Sequence, residues 1–396
     1  MKVVQINSEC GKGSTGKIVT AISDLLFEKG IENYIFYSGN HKSTYHRGIM
    51  IQKKAGIRIH QILSRVFGDQ GFHSYFSTLR LIKMIKKINP DVILMHNLHG
   101  YYLHLGVLFC YLKKFDGKVF WTLHDCWAFT GHCTHFTIEK CDRWKKECGN
   151  CPQIHKYPYS WFFDRSKKLY QKKKKLFLSV KDMTIITPSE WLSGLVKESF
   201  LSEYPCKVIN NGIDIEIFKP TKNDFKVKHS IENKKMVLGV ASVWSYEKGL
   251  DVFINLAQKL DDSKYKIVMV GTDDSIDKQL PKNIISIHRT NNQKELAEIY
   301  SAADVFLNPT REDNYPSVNM EAIACGTKVV AFDTGGCQEI LSNFNGTIIK
   351  DKSLENVIKA IVAVTSDLQD GERHTKDLHQ FDQKICFEKY AEFMCN

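Results

Sequence analysis

The chain has 396 residues, of which 43% are hydrophobic and 25% are charged, and its net charge is +11 at pH 7. Because one hydrophobic core stops growing at roughly 250 to 300 residues, this length predicts two domains. The mixture excludes a disordered chain, and we expect a cytoplasmic protein because neither an apolar run of about 18 residues nor a signal-peptide pattern in "MKVVQINSEC" is present.

The first half of the chain alternates predicted strands and helices. "KVVQIN" is a buried strand, "TGKIVTAISDLLFEKG" is an amphipathic helix that ends at Gly30, and "STLRLIKMIKKINP" is a helix that ends at Pro90. The further short apolar strands are "NYIFYSG", "DVILMHN", "KVFWTLHD" and "MTIITPS". Such strands between helices indicate a parallel sheet that is covered on both faces.

The loop "SECGKGSTGKIV" after the first strand nearly matches a P-loop. Gly11, Gly16 and Lys17 fit G-x-x-x-x-G-K, but Ile18 stands where a P-loop has the Ser or Thr whose hydroxyl binds magnesium. A P-loop NTPase is therefore the least favoured interpretation of this chain.

Five of the twelve cysteines lie between Cys126 and Cys151. The Cys-x2-Cys pair that ends this stretch has the spacing of a zinc site, and four thiolates would close a tetrahedral structural site. The best quartet is Cys133, Cys141, Cys148 and Cys151. Structural zinc is the leading interpretation, and unpaired thiols and disulfides stay open beside it.

The densest basic run is "RSKKLYQKKKKLF", with six lysines and one arginine between Arg165 and Lys175. A solvated helix face is the simplest interpretation of this run. Nucleic acid is disfavoured as a partner, because interleaved base-stacking aromatic residues and known binding motifs are missing. An anionic membrane surface is the better alternative, since each basic residue near such a surface contributes about 1 kcal/mol.

A second basic feature is the predicted helix that ends at Pro90, with Arg80, Lys83, Lys86 and Lys87 on its outer side. We expect its apolar residues to face the core, so that any contact with a membrane is electrostatic adsorption without deep insertion. These apolar residues are Leu79, Ile82 and Ile85.

A second series of strands begins after "CKVINNGIDIEIFKP", and the clearest helices in it are "NNQKELAEIYSAA" and "SVNMEAIACG". The strands are "KMVLGVAS", "YKIVMVGT", "NIISIH", "DVFLNPT" and "TKVVAFD". We therefore predict two doubly wound α/β domains, each with ligand sites at the carboxyl ends of its strands. The predicted boundaries are 1–215 with a Cys-rich insertion at 126–153, then 216–378, then a terminal helix at 379–396 that could pack back on the first domain.

The segment from Asn308 to Gly336, "NPTREDNYPSVNMEAIACGTKVVAFDTGG", has the chemistry that a nucleotide sugar requires. Free backbone N–H groups at a helix N-terminus near Ser317 and Val318 can bind a diphosphate. A carboxylate inside the helix, Glu321, can accept hydrogen bonds from ribose hydroxyls, and a carboxylate before the helix can reach the sugar.

This segment resembles the Glu-x7-Glu motif of the retaining glycosyltransferases of family four, which have the GT-B fold of two such domains facing a cleft. Glu321 matches the second acid of the motif, and Asp313 lies eight residues before it, with Glu312 directly preceding Asp313. The spacing favours Asp313 as the acid that faces the donor sugar, although the family has Glu at this position.

"WSYEKGLDVFI" resembles the family's diphosphate-binding segment, so the resemblance implies that Lys248 binds the donor diphosphate. Val243 stands where the family has an arginine, so half of this cationic pair is absent or comes from elsewhere. The resemblance also implies that the loop after the first strand approaches the donor through Gly13, Ser14 and Thr15, with Gly16 opening the helix. No metal or other cofactor is then needed for catalysis.

The resemblance further implies that His124, at the end of a strand, lies near the donor sugar; a buried structural histidine is the alternative. His96 and Asp125 are the candidates for acceptor binding. Retaining transfer is expected to proceed by front-face attack, in which the leaving phosphate takes the acceptor proton.

The resemblance covers nearly the whole chain and is strongest to enzymes that build bacterial surface polysaccharides of the colanic acid and O-antigen type. It implies a hexosyltransferase that uses a UDP- or GDP-sugar as donor and a polyprenyl-diphosphate-linked glycan as acceptor. Such an enzyme would work peripherally at the inner face of the cytoplasmic membrane. A GT-B sugar-nucleotide epimerase and a zinc-containing nucleic-acid-binding protein are the alternatives.

Overall fold

The computed structural model describes residues 1–344, 346–366 and 378–395. By its internal packing the chain divides into two units, which we call the first and the second domain. The first domain consists of Met1–Asn210 and Cys386–Asn396, and the second domain is Asn211–Ile385.

The described part of the first domain contains a sheet of seven parallel strands in the order β3-β2-β1-β4-β5-β6-β7. The central strands are apolar and almost completely buried, as expected when helices cover both faces of a parallel sheet. The strands are β1 (Lys2–Asn7), β2 (Glu32–Tyr37), β3 (Gly48–Met50), β4 (Val92–Met95), β5 (Lys118–Thr122), β6 (Met183–Thr187) and β7 (Cys206–Val208).

Six helices connect these strands in the described residues: α1 (Gly13–Glu28), α2 (Lys54–Phe67), α3 (Tyr75–Ile88), α4 (Leu105–Leu112), α5 (Ser166–Phe177) and α6 (Glu190–Glu198). Helix α1 packs on one face of the sheet through residues such as Ile22 and Leu26. Helices α3, α4 and α5 pack on the other face, where Leu81, Phe109 and Phe177 are completely buried.

Two expectations about the basic helices are wrong. Leu79 of α3 is 42% exposed, whereas Ile85 is buried as expected. Lys173 of α5 is buried, although it lies in the middle of the lysine run. The reason is helical periodicity: a run of four lysines covers more than one full turn, so one of them must point toward the protein interior.

The second domain contains a sheet of six parallel strands among the described residues, in the order β10-β9-β8-β11-β12-β13. The strands are β8 (Lys235–Val240), β9 (Tyr265–Val270), β10 (Ile284–Ile287), β11 (Val305–Asn308), β12 (Lys328–Phe332) and β13 (Thr347–Ile349). The remaining helices are α7 (Phe225–Lys228), α8 (Leu250–Lys259), α9 (Asp274–Asp277), α10 (Gln293–Ala302), α11 (Ser317–Ala324), α12 (Cys337–Leu341), α13 (Leu354–Ser366) and α14 (Gln383–Cys395).

The terminal helix α14 confirms the prediction of a helix at the end of the chain. From Cys386 onward it belongs to the first domain, where Phe387 and Tyr390 are buried beside α1 and the strands β1, β4 and β5. Thr122 at the end of β5 donates a hydrogen bond to the Tyr390 hydroxyl at 3.3 Å. None of the helices in the described part of the chain is long and apolar enough to cross a membrane.

Both sheets reverse their strand order at one point, between β1 and β4 in the first domain and between β8 and β11 in the second. In open α/β sheets the crevice outside the carboxyl ends of the strands at such a point is where ligands bind. The fold therefore predicts ligand sites in the loops after β1, β4 and β5 of the first domain and in the loops after β8 and β11 of the second domain.

Candidate active site

The glycine-rich loop after β1 leads directly into α1. The helix begins at Gly13, so Gly13, Ser14 and Thr15 form its first turn, and the expectation that Gly16 opens the helix is wrong. Gly13 has a positive φ of 67° and no atom within 4 Å of an added Cβ. The residue before the helix, Lys12, makes no side-chain cap. The first turn of α1 therefore lies at the carboxyl edge of the sheet with the character of an anion site.

A chain of polar side chains runs from β1 to His124. Gln5 Oε1 lies 3.3 Å from His96 Nε2, and His96 Nδ1 lies 3.1 Å from His124 Nε2, with the two rings stacked. The Gln5 amide nitrogen donates to the Val19 carbonyl at 3.1 Å, which leaves Oε1 as an acceptor. His96 therefore donates from Nε2 and accepts at Nδ1, so His124 donates from Nε2 and carries no proton on Nδ1.

Both histidines are uncharged at neutral pH. Burial lowers the pKa of His124 to about 4, although the neighbouring Asp125 carboxylate acts in the opposite direction. Burial and the proximity of His124 hold the pKa of His96 well below its usual range. The first domain thus presents a neutral imidazole of fixed tautomer at the end of β5.

A second polar chain lies beside the first. His99 Nε2 is 2.7 Å from Asp125 Oδ2, and His99 Nδ1 is 3.0 Å from the Tyr157 hydroxyl, which also accepts from Gln70 at 3.3 Å. Burial opposes ionisation of Asp125, but His99, His135 and the Trp127 N–H together outweigh it, and the pKa of this carboxyl falls to about 2. The backbone N–H of Trp127 donates to Asp125 Oδ1 at 2.9 Å. Asp125 is therefore an ionised carboxylate with one hydrogen-bond contact at each oxygen.

The buried side chain of Lys173 binds the loop after Asp125. Its ammonium group donates to the Trp127 carbonyl at 2.7 Å and to the Thr130 carbonyl at 3.1 Å, and it lies 3.5 Å from the centre of the Trp127 ring. Burial lowers the pKa of Lys173 to about 7. Lys173 thus positions the loop that carries Asp125.

The predicted cysteine quartet lies in the segment between β5 and α5. Cys133, Cys141, Cys148 and Cys151 are all free thiols, and the backbone N–H of Gly131 donates to Cys148 Sγ at 3.2 Å. Burial raises the pKa of the Cys133 thiol, and the other three cysteines raise it further, so the four are near one another. In the part of the chain that the structure describes, no group of three or more His, Cys, Asp or Glu side chains is arranged to hold a metal ion. Zinc binding stays a prediction.

In the second domain, Lys248 lies in the tight turn between β8 and α8. Its Nζ is 2.5 Å from Asp313 Oδ2, 3.4 Å from the Glu312 carbonyl and 3.5 Å from Thr310 Oγ1. Gly249 has a φ of +76°, and an added Cβ would lie 2.5 Å from Pro309 Cγ. The glycine thereby allows the turn after β8 to press against the loop after β11, which brings Lys248 and Asp313 together.

Asp313, and not Glu312, contributes the carboxylate beside Lys248. Asp313 Oδ1 also accepts from the Asn314 N–H at 2.9 Å. The loop after β12 closes over this segment, because an added Cβ on Gly335 would lie 2.2 Å from the Asp313 carbonyl oxygen.

Another cation near this loop is already engaged. The position where the family has an arginine carries no charge here, because it is occupied by Val243, whose side chain is 70% exposed. Arg311 binds both carboxylate oxygens of Asp251, at 2.7 and 2.8 Å, and its guanidinium lies 4.0 Å from the centre of the Tyr246 ring. This bidentate pair ties the loop after β11 to α8.

Helix α11 begins at Ser317 after Pro316, which provides no side-chain cap. One turn in, Glu321 accepts from Ser317 Oγ at 3.3 Å and from the Tyr300 hydroxyl at 3.1 Å. Burial and the Glu321 carboxylate hold the pKa of Tyr300 well above its usual range, so Tyr300 remains a donor. Val318 is half-buried beside Ser317 in this first turn.

Sequence reasoning missed three residues that support these sites: Gln5, Tyr157 and Tyr300. Gln5 carried a signal, since a polar residue in the middle of the buried strand "KVVQIN" must find a partner. Tyr157 and Tyr300 look like ordinary aromatic residues in the sequence. Their roles depend on partners far away in the sequence.

Two family models match the chain. Residues 15–217 match the model described as Glycosyltransferase Family 4, and residues 221–379 match the model described as Glycosyl transferases group 1. The chain is 25% identical over 377 residues to an Escherichia coli (strain K12) protein named as a colanic acid biosynthesis glycosyl transferase, WcaC. This match covers 91% of the chain and 90% of that protein.

A second relative, from Campylobacter jejuni, is an N,N'-diacetylbacillosaminyl-diphospho-undecaprenol alpha-1,3-N-acetylgalactosaminyltransferase. It is 26% identical over 200 residues, which cover 47% of this chain and 52% of the relative. Among solved structures, Anabaena Alr3699/HepE in complex with UDP matches with a TM-score of 0.69 and 15% identity over 100% of both chains. Sucrose-phosphate synthase from Thermosynechococcus elongatus matches with a TM-score of 0.65 and 14% identity, covering 100% of this chain and 95% of that chain.

Proposed function

The chain belongs to glycosyltransferase family 4, and we propose that it transfers a hexose, with retention of configuration, from a nucleotide sugar to a lipid-linked glycan. The similarity to WcaC supports a place in bacterial surface polysaccharide biosynthesis, of the colanic acid or O-antigen type. The Campylobacter relative is named for an acceptor on diphospho-undecaprenol, which supports a polyprenyl-diphosphate-linked acceptor here. The similarity to a structure solved with UDP supports a UDP-sugar as donor, with a GDP-sugar as the alternative.

The observation that carries the proposal is the convergence of Lys248, Asp313 and α11 at the reversal point of the second sheet. Lys248 and the N–H groups of Ser317 and Val318 would bind the diphosphate, because cations and helix N-termini both stabilise phosphate charge. Glu321, held by Tyr300, would accept from the ribose hydroxyls. Asp313 would face the donor sugar.

The proposed chemistry needs no protein base. The bond between the anomeric carbon and the phosphate oxygen breaks, and the acceptor oxygen forms its bond on the same face of the sugar. The acceptor proton passes to the departing phosphate oxygen, so the protein contributes orientation and stabilisation of charge.

In the first domain, Gly13, Ser14, Thr15 and Gly16 would approach the donor through the α1 N-terminus. A neutral His124 suits a position near the sugar, because an imidazolium would repel the positive charge that develops on an oxocarbenium-like sugar. His96 fixes the tautomer of His124 and is proposed to act through it. Asp125 remains the candidate for contact with the acceptor.

We also propose that catalysis needs no metal and that zinc, bound by Cys133, Cys141, Cys148 and Cys151, stiffens the loop segment of the first domain. Brief treatment with EDTA should leave transfer intact, whereas a requirement for added magnesium would contradict the metal-free mechanism. Elemental analysis should find one zinc per chain, and a Cys148→Ser variant should lose it. The zinc proposal would be overturned if the native protein contained no zinc and these four cysteines reacted as free thiols.

The proposed function is tested by measuring which nucleotide sugars raise the melting temperature, because a ligand that binds only the native state stabilises it. The stabilising donor is then incubated with a polyprenyl-diphosphate glycan, and the anomeric configuration of the product is read by NMR. Retention and acceptor-dependent release of the nucleoside diphosphate are expected. Conversion of the donor without any acceptor would instead favour an epimerase.

A further inference from the structure

The first domain displays a cluster of aromatic rings on its surface. Within the short segment before α5, Tyr159 is 44% exposed, Trp161 48%, Phe162 71% and Phe163 49%. Neighbouring rings contact one another, with the centres of Trp161 and Phe162 and those of Phe162 and Phe163 each 6.4 Å apart. Contiguous apolar surface of this kind marks an interaction site in a soluble protein, because its exposure to water is costly.

These rings are held outward by the end of α2. The backbone N–H of Trp161 donates to the Arg65 carbonyl at 2.7 Å, and the Arg65 guanidinium lies 5.3 Å from the centre of the Tyr159 ring and 5.8 Å from that of Trp161. Ser160 Oγ donates to the Phe163 carbonyl at 2.8 Å, which closes the turn. The exposure of the rings is therefore built into the fold.

The apolar surface continues along α2 and onto the start of α3. On α2 the exposed apolar side chains are Ile59, Ile62 and Phe67, and on α3 they are Tyr75, Phe76 and Leu79. The two helices are joined where His60 Nδ1 lies 2.6 Å from Ser74 Oγ. We call the exposed residues of 159–163, α2 and α3 the aromatic surface.

The sequence around the aromatic surface is strongly basic. Between Lys53 and Lys87 it contains eight basic residues and a single acidic one, Asp69, and between Lys156 and Lys175 it again contains eight basic residues and one acidic one. Asp69 itself faces His73 at 2.5 Å and Arg165 at 3.7 Å. Aromatic rings bordered by positive charge complement an anionic lipid surface, in which rings occupy the boundary between headgroups and acyl chains.

We propose that the aromatic surface docks this enzyme on an anionic bilayer by inserting Trp161, Phe162 and Phe163 below the headgroups. This inference rests on the proposed lipid-linked acceptor and replaces the expectation of purely electrostatic adsorption. It also gives the basic residues Arg80, Lys83 and Lys167 to Lys175, apart from the buried Lys173, a shared role in attracting anionic lipid.

The same segment reaches the polar site of the first domain. Tyr157, four residues before Trp161, contacts His99 at 3.0 Å, and His99 contacts Asp125, which adjoins His124. Docking would therefore bring the bilayer that holds the acceptor lipid to the residues proposed to bind the acceptor.

Trp161 provides a direct readout. Among the tryptophans, all of which lie in the described residues, it is the exposed one. The full chain, without substrates, is mixed with phosphatidylcholine vesicles with or without phosphatidylglycerol, at low salt and at 1 M salt. We expect the protein to bind vesicles that contain phosphatidylglycerol, with a blue shift of the tryptophan emission and quenching by brominated lipid. The Trp161→Phe variant should lose the blue shift and the quenching. Part of the binding should survive 1 M salt, where the Debye length is about 3 Å.

The decisive variant is Phe162→Ser with Phe163→Ser, matched by Phe27→Ser, since Phe27 is a 61% exposed phenylalanine on α1. The double variant should bind vesicles at least about tenfold more weakly, as expected from losing the burial of two rings, and Phe27→Ser should bind like the wild type. Unchanged binding by the double variant, or no quenching of Trp161, would overturn the proposal. Self-association in the absence of lipid that the double variant abolishes would assign the surface to a second copy of the chain.

The melting shift given by the nucleotide sugar is measured on the same samples. A normal shift in the double variant shows that the protein is folded and that its donor site is intact. Vesicle binding without any nucleotide-sugar response would support docking and count against the proposed function. A nucleotide-sugar response without vesicle binding would support the proposed function and count against docking.

Discussion

The strand-end sites of the two domains share one architecture and differ in their electrostatics. Each lies at the reversal point of a parallel sheet. In the first domain His96 is buried, and His96 and His124 carry no charge at neutral pH. In the second domain the Lys248 and Asp313 side chains, 35% and 24% exposed, form an ion pair.

Under the proposed function, this difference suits the two sites to different parts of the donor. Under the proposed function, Lys248 would exchange Asp313 for a phosphate when the donor binds, and its partial exposure to water would permit this exchange. The uncharged His124, which contacts the buried His96, would offer the sugar a hydrogen-bonding group of fixed tautomer. The comparison can be tested by perturbing each site in turn.

The largest effect is expected from adding a methyl group where the second site is tightly packed. Gly335→Ala would place a Cβ 2.2 Å from the Asp313 carbonyl at a φ of +55°, and should cost about 2–5 kcal/mol through strain and overpacking. Gly13→Ala at the first site meets no atom within 4 Å and should cost only about 1–2 kcal/mol for its positive φ. Melting temperatures and UDP affinities of both variants measure the difference. Equal losses would show that the two loops are equally constrained.

The next effect concerns pH. Since the pKa of His124 falls from 6.5 to about 4 in the folded protein, the unfolded chain binds this proton first, and stability falls as the pH drops from 6.5 to 4. His124 can contribute up to about 3 kcal/mol to this loss. His124→Gln should therefore lose less stability than the wild type between pH 7 and pH 4.

His288 of the second domain provides the control for this measurement. A hydrogen bond to Asp277 raises its pKa, so its stabilisation is present below pH 6.5 and is lost as the pH rises through the raised value. His288→Gln should thus change the pH profile in the opposite direction. If both variants follow the wild-type profile, the contrast between a histidine with a lowered pKa and a histidine with a raised pKa is wrong.

Glu321→Gln should lower kcat/KM by a factor that corresponds to about 1.5–3 kcal/mol, because a charged hydrogen bond to the ribose is lost. The melting temperature of the free protein should stay nearly unchanged. Glu312→Gln is the matched control, because Asp313 and not Glu312 contacts Lys248 through its side chain. Activity assays with purified variants decide the matter. A fully active Glu321→Gln variant would remove this carboxylate from the donor site.

The smallest effect is expected for Lys248→Ala, about 1.5 kcal/mol, because in the proposed site Lys248 would give up its contact with Asp313 to bind phosphate. The loss should appear in the affinity for UDP and not in the affinity for uridine, as measured by calorimetry. Equal losses for both ligands would mean that Lys248 acts through the structure of the turn.

Some of this could be read directly from the sequence. The predicted strands of both sheets and helix α14 are confirmed because short apolar runs and helical periodicity are local patterns. Spacing likewise placed Asp313, Ser317 and Glu321 around the start of one helix, which the bounds of α11 confirm. The helices α2, α4 and α6 of the first domain and the short strands β3 and β7 were not predicted. In α2, Ile59 and Ile62 lie on the exposed face, so the apolar pattern does not follow burial.

The sequence by itself determined the two parallel α/β domains, the family and the acidic motif of the second site, since each depends on neighbours within about ten residues. Only the tertiary structure decided which polar groups meet: Gln5 with His96, Tyr157 with His99, and Tyr300 with Glu321. It also decided that Lys173 is buried while its neighbours in the run face water, and that the rings of 161–163 are exposed. These outcomes depend on long-range packing, which sets solvation and thereby charge, and no local pattern of residues encodes it.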